Sequence, residues 1–401
     1  MIRSPHGNPP AVTTADLTVI VPVRNDPWNL ARCLDAIKHS TCAARVIVVD
    51  DASTDGTGDF AELSEVRVLR LPKQVGPAAA RNIAAEAATS RSLFFVDADV
   101  VIHPDAIERV ARILVEGSGI DAVFGSYDDA PGAPNFCSQY KNLFHRYVHQ
   151  TSATEACTFW SGCGAIRRDV FFAHGGFSAA YERPCIEDIE LGMRMRRAGH
   201  RIVLDKHLQA KHLKKWTVSK IIRSDVFDRA IPWARLIVGR RSAPNDLNLA
   251  VAQRVSAMLA CLAVATLFVG AVFHPVLLLL PVVTLGSVCL ADLWSMRKKR
   301  SRLCLPVMAV VLAGSSAAVL YEGDVFGAAF VAFVAAMLAL NARFYVHWLR
   351  LRGVAFAALV VPMHVLYFVY SAASLAYVTV TGAPKAAEQR MTTTIATRQV
   401  A

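Results

Sequence analysis

Charge is scarce in this sequence: 19% of its 401 residues are Asp, Glu, Lys or Arg, against 54% that are hydrophobic. That balance excludes a disordered or collagen-like chain and is too apolar for an ordinary soluble enzyme. The nine cysteines contain no CxxC and form no even framework, which fits free thiols in a reducing compartment. The first sixteen residues hold no apolar run, so no cleavable signal peptide is expected. A Walker A loop is missing, Gly162-Cys163-Gly164 lacks the third glycine of a dinucleotide fingerprint, and no Ser/His/Asp arrangement stands out.

The apolar excess is uneven. Charged residues run through the first 250 positions and then thin out, apart from two short basic clusters. Five apolar spans follow, at about 254–273, 275–294, 303–320, 325–342 and 354–380, each near the ~20 residues that cross a bilayer. The net charge of +11 comes from beside them: Lys211–Arg241 carries nine Lys/Arg against two Asp, 297–302 adds five and Arg343, Arg350 and Arg352 add three, while the remaining residues are net acidic. A nucleic-acid binder would carry that charge on its folded domain, so no nucleic-acid partner is expected. The positive-inside rule instead puts 296–302 and 343–352 in the cytoplasm and the acidic turn 321–324 outside. The fifth span could also be a re-entrant hairpin. The expected organisation is a tail (1–16), a cytoplasmic domain (17–212), an interfacial amphipathic linker (213–250), membrane helices (251–380) and a second tail (381–401). In the linker, Lys and Arg alternate with Trp216, Ile221, Phe227 and Trp233, as in a helix lying on a membrane surface.

Within 17–212 the pattern is strand–helix alternation. LTVIVPV (17–23), RVIVV (45–49), 66–71 and SLFFV (92–96) read as strands, with helices at 29–37 and 76–89. Acidic residues close two of these strands, Asp50-Asp51 and Asp97-Ala98-Asp99. This is the α/β pattern, with a ligand at the carboxyl edge of the sheet. Asp97 and Asp99 alternate, so both carboxylates can face the same way and offer hard oxygens to Mg²⁺ or Mn²⁺ beside a diphosphate. The turn after Asp50 could equally be a helix cap.

Taken together, VIVPVRND (19–26), VVDDASTDGT (48–57), GPAAARN (76–82), FVDAD (95–99), SGCGAIRRDVFFAHGGF (161–177) and IEDIELGMRMRRAGHRI (186–202) resemble the family 2 glycosyltransferases. The resemblance covers half of the chain and implies a Rossmann-like GT-A fold. It also implies inverting transfer from a nucleotide-diphosphate sugar with a divalent metal. By position, it places Pro22, Val23, Asp50, Asp51, Arg81, Asn82 and Asp97 at the donor, and Asp97, Asp99 and His212 at the metal. His207 is a weaker candidate for the metal. Asp188, in the Glu187-Asp188 pair, matches the general base, with Glu187 as its catalytic companion, although a carboxylate at a helix start also suits the dipole. Gly162, Gly164 and Trp216 fall in the acceptor region. No QxxRW follows, which argues against long-chain polymerisation, and RSDVFDRAIPW (223–233) has no role derivable from the sequence.

The reading is a membrane-anchored glycosyltransferase acting on a hydroxyl of a lipid or lipid-linked saccharide at the cytoplasmic face. A polyprenyl-phosphate sugar synthase is the alternative enzyme, although an anionic acceptor needs no carboxylate base. A scaffold or transport component with a degenerate transferase domain is the non-enzyme alternative.

Overall fold

The computed structural model describes residues 16–116, 119–240, 251–273, 279–295 and 325–382. They form two compact units: Ala153–His212 with the described residues up to Asp128, and Asp129–Ser152 with those from Leu213 onward.

The first unit is built on a nine-stranded sheet. Strands β1 (Leu17–Val23), β2 (Arg45–Asp50), β3 (Arg67–Arg70) and β4 (Ser92–Val96) run parallel in the order β3-β2-β1-β4. Every residue of β1 and β4 is buried, as their unbroken apolar runs require in a sheet covered on both faces. Val19, Val21 and Val23 point to the side of α1 (Pro27–Lys38) and α4 (Ala106–Glu116). Ile20 points to the side of α3 (Pro77–Ala87), whose Ala78, Ala80, Ala84 and Ala85 allow close approach. Asp26 caps α1 by accepting from Asn29 N, and Pro27 supplies a preset first turn.

Beyond β4 the sheet becomes mixed. β6 (Ala122–Tyr127) and β4 both lie antiparallel to β8 (Cys163–Arg167), while β9 (Ile202–His212) runs parallel to β6. The short β5 (Val100–Ile102) pairs antiparallel with the end of β9, and β7 (Glu155–Ala156) with its beginning. Helices α6 (Arg168–Ala173) and α7 (Glu187–Arg197) complete the unit. The eight described cysteines are all free.

The second unit is helical. It contains α5 (Phe136–Thr151), α8 (Val218–Arg223), a π-helical turn at Ser224–Ala230, and α9 (Ile231–Arg240). It continues with α10 (Val251–Phe273), α11 (Leu279–Ser295), α12 (Val325–Leu340), α13 (Ala342–Arg352) and α14 (Val354–Thr381). Two of these, α10 with 23 residues and α14 with 28, are long and apolar enough to cross a membrane. Two of the five expected spans are found among the described residues, or three if the pair α12 and α13, bent by 77°, counts as one. Helix α12 alone is short: its 16 residues give about 24 Å at 1.5 Å per residue, less than a ~30 Å hydrocarbon core. The span expected at 303–320 and the loops 296–302 and 321–324 lie outside the described residues. So do 1–15, 241–250 and 383–401.

This unit has its own aromatic core, including Phe136, Tyr140, Trp216, Trp348, Phe356 and Phe368. Asp292, on α11, accepts from Asn135 Nδ2 at 2.6 Å and from Cys137 N at 2.9 Å, so it caps the start of α5. The segment RSDVFDRAIPW is helical throughout, and its buried Asp225 is an anchor. Asp225 pairs with the Lys141 ammonium and accepts from the Tyr370 hydroxyl at 2.5 Å. Asp225→Ala would leave Lys141 buried without its counter-charge, a loss of about 3–5 kcal/mol. The expected result is a sharply lowered thermal midpoint for the full chain in detergent. A midpoint like that of the wild type would show that Asp225 carries no such load.

Candidate active site

The carboxyl edge of the parallel strands gathers most of the acidic residues singled out above. Val23 ends β1 in register with Asp50, and Pro22 with Val49. Asp50 closes β2 and accepts from Ser53 N at 3.0 Å. Asp51 follows, its carboxylate holding Val75 N at 2.7 Å and Gly76 N at 2.9 Å, so it fixes the start of α3. Gly76 has φ +86°, and a Cβ there would lie 2.2 Å from the Glu182 carbonyl oxygen. Only glycine fits both demands. Ala52 stands at φ 55°, a left-handed conformation that costs a non-glycine residue about 1–3 kcal/mol, the kind of strain found at ligand loops.

α3 carries Arg81 and Asn82 into the site with different duties. The Arg81 guanidinium forks between Glu187 Oε1 at 2.9 Å and Asp97 Oδ1 at 2.6 Å. Asn82 spends its amide on the Phe177 backbone, donating to the carbonyl at 2.7 Å and accepting from the N–H at 2.9 Å. It therefore braces the loop that holds Phe177.

Asp99 meets His212 because β5 and β9 pair with Val100 opposite His212. Asp99 Oδ2 lies 3.3 Å from His212 Nε2. The His212 ring is buried and stacks on Tyr127, with centroids 4.6 Å apart and planes at 6°. Trp160 meets the same tyrosine edge-on at 4.8 Å. His207 is exposed on β9. A carboxylate with an imidazole is a donor set that Mn²⁺ accepts, and a nucleotide-borne ion fills its remaining positions with phosphate and water. Among the described residues no group of three or more His, Cys, Asp or Glu converges. The Asp99–His212 pair offers such an ion one oxygen and one nitrogen ligand. Asp97 is turned to Arg81 by one oxygen, and its side chain stays 34% exposed.

Asp188 lies in the first turn of α7. Its Oδ2 accepts from Ser161 N at 2.9 Å and Ser161 Oγ at 3.1 Å, and its Oδ1 from Ile189 N at 2.7 Å. Each carboxylate oxygen has two lone pairs, so Oδ1 retains capacity for a proton. Burial first, and the adjacent Glu187 carboxylate second, push Asp188 up to about 6 against the pull of Ser161, Arg81 and Ile189. Glu187 is buried, its oxygens taken by Arg81 and by Cys185 N at 2.9 Å.

Gly162 and Gly164 flank the same loop. A Cβ on Gly162 would lie 2.6 Å from the Trp160 ring, and one on Gly164 2.2 Å from the Trp160 carbonyl oxygen. Both glycines make room for Trp160. Trp216, by contrast, belongs to the helical unit, where its backbone N–H donates to Ser138 Oγ at 2.8 Å and its carbonyl accepts from Asn135 Nδ2 at 2.7 Å. Sequence reasoning missed Ser161, Tyr127 and Trp160. Ser161 sits within the matched 161–177 stretch, but nothing in that string says that it reaches Asp188.

Residues 18–174 match the family model "Glycosyl transferase family 2". Among curated proteins, the glycosyltransferase AglE of Haloferax volcanii is 32% identical over 120 residues, covering 28% of this chain and 39% of AglE. The pre-mycofactocin glycosyltransferase of Mycobacterium tuberculosis is 30% identical over 247 residues, covering 54% of this chain and 47% of that protein. The matches thus span less than half the length of either relative. Among solved structures, the mannosyltransferase PcManGT of Pyrobaculum calidifontis, in complex with GDP-Man and Mn²⁺, aligns with a TM-score of 0.51 at 19% identity. That alignment covers 92% of this chain and 89% of PcManGT. The strand order, the acidic strand ends and the matched model agree: this chain carries a family 2 glycosyltransferase domain with the GT-A fold.

Proposed function

We propose that the protein is a membrane-anchored inverting glycosyltransferase. It moves a sugar from a nucleotide-diphosphate sugar to a hydroxyl of a lipid or lipid-linked saccharide at the cytoplasmic face of the membrane. The observation that carries this reading is Asp188: a recessed, partly exposed carboxylate, pinned by Ser161 and one residue from the glutamate that Arg81 joins to Asp97. Asp188 Oδ1 takes the proton of the acceptor hydroxyl as that oxygen attacks the anomeric carbon. The bond to the diphosphate breaks on the opposite face, and Asp188 later returns its proton to water. Asp99 and His212 would hold a divalent ion, which would supply charge neutralisation for the departing diphosphate. Arg81 keeps Asp97 oriented on the donor side. The two candidate spans support the membrane anchor and make a lipid-borne acceptor accessible, and the basic clusters support the cytoplasmic orientation.

The test uses the purified full chain, Mn²⁺, a panel of nucleotide sugars and a membrane lipid extract. The expected result is EDTA-sensitive transfer of one sugar into the lipid fraction. Release of nucleotide diphosphate without a lipid product would refute the lipid acceptor, and no turnover of any donor would refute the enzyme reading.

A further inference from the structure

We propose that Glu187 is a positioning residue: through Arg81 it fixes the donor-side carboxylate of Asp97 and so ties the base-bearing helix α7 to the metal-side strand end. This rests on the function proposed above. The geometry is a buried fork. The Arg81 and Glu187 side chains are each 5% exposed, and the guanidinium reaches Glu187 with one terminal nitrogen and Asp97 with the other. A guanidinium holds two carboxylates in fixed directions because its donors are planar and rigid, which a lysine cannot reproduce. Glu187 is buried and ion-paired, so it is less open to a substrate hydroxyl than the partly exposed Asp188. One oxygen holds Arg81 and the other the Cys185 N–H. Arg81 also lies 5.6 Å from the Phe177 ring, and the neighbouring Asn82 clamps the backbone of that phenylalanine. A single turn of α3 therefore braces the donor-side carboxylate, the first turn of α7 and the loop between α6 and α7.

Nothing in this network requires ligand, so the first test uses the full chain in detergent without nucleotide or metal. Thermal midpoints are measured for wild type, Asp97→Asn, Glu187→Gln and the double variant, then for the same set in an Arg81→Met background. Residues coupled through a shared partner give non-additive losses. The losses should fail to add when Arg81 is present and should add once it is gone. Additivity in both backgrounds overturns the relay. Where Arg81→Met does not fold, Arg81→Lys serves, since it keeps a cation but cannot bridge both acids.

The second test reads the pH profile of kcat/KM. Asp188 is faced by Glu187 on its own helix and by Arg81 from α3, with Ser161 and Ile189 as hydrogen-bond donors. Removing the Glu187 charge should move the acid limb to lower pH and lower kcat/KM for the donor several-fold. An unmoved limb, or a loss as deep as that of Asp188→Asn, would overturn the positioning role. Absence of turnover in the wild type would count against the proposed function alone and leave the thermal cycle to decide the relay.

Discussion

Asp188→Asn is expected to lower sugar transfer by roughly 10²-fold or more, the usual span for loss of a general base. A hydroxyl has a pKa far above 7, so its attack on the anomeric carbon needs a proton acceptor within about 2.6–3.2 Å in the reacting complex. Asparagine keeps the shape and can still accept from Ser161, so donor binding should survive. The charge it removes is one that burial and Glu187 disfavour, so the thermal midpoint at pH 7 should hold or rise. In the wild type, a carboxylate raised to about 6 must be ionised to act. Transfer should therefore be full above that pH and should fall as pH drops through it. Near-normal transfer by the asparagine variant would point to an acceptor that is already an anion, such as a polyprenyl phosphate.

Asp99→Ala is the second large effect. It removes the carboxylate that lies 3.3 Å from His212, the oxygen ligand of the proposed metal site. A metal at a departing diphosphate contributes several kcal/mol, so the loss in kcat/KM should be roughly 10²–10³-fold at about 1.4 kcal/mol per decade. Donor affinity should lose its dependence on Mn²⁺, and EDTA should no longer matter. His212→Ala should show the same pattern more weakly, because the ion keeps Asp99. Asp97→Asn should differ in kind: its oxygen serves Arg81, so it should weaken donor binding with and without the ion. An Asp99→Ala variant whose donor affinity still responds to EDTA would remove this pair from the metal.

Much of this fold is legible from local pattern. Parallel strands β1, β2 and β4 lie at apolar runs of five to seven residues beside Asp or Pro, since a strand covered on both faces has no polar side to show, while the four-residue edge strand β3 leaves both of its arginines exposed. The helix after Gly76 is announced by Pro77 and an alanine-rich face. The acidic pairs could be placed at strand ends because a strand end is a local feature. The resemblance assigned both Asp99 and His212 to a metal, while the contact between them comes from β5 folding back on β9 across more than a hundred residues.

The membrane half shows where that legibility stops. Hydropathy identifies apolar stretches, but only the folded helices show that α12 ends at Leu340 and turns by 77° into the basic α13. Residues 136–151 fall inside the expected domain 17–212, yet helix α5 packs with Trp348 and Phe356 in the helical unit, its start capped by Asp292. By itself the sequence determined the parallel strands, the acidic strand ends and the apolar character of the C-terminal part, because each follows from composition and spacing within a few turns of chain. Tertiary structure alone decided that Arg81 joins Asp97 to Glu187, that Ser161 holds Asp188, and that Asp225 is buried against Lys141 and Tyr370. Those pairings span 16 to 145 residues. A charged or polar side chain carries no mark of the distant partner that compensates its burial until the chain has closed around both.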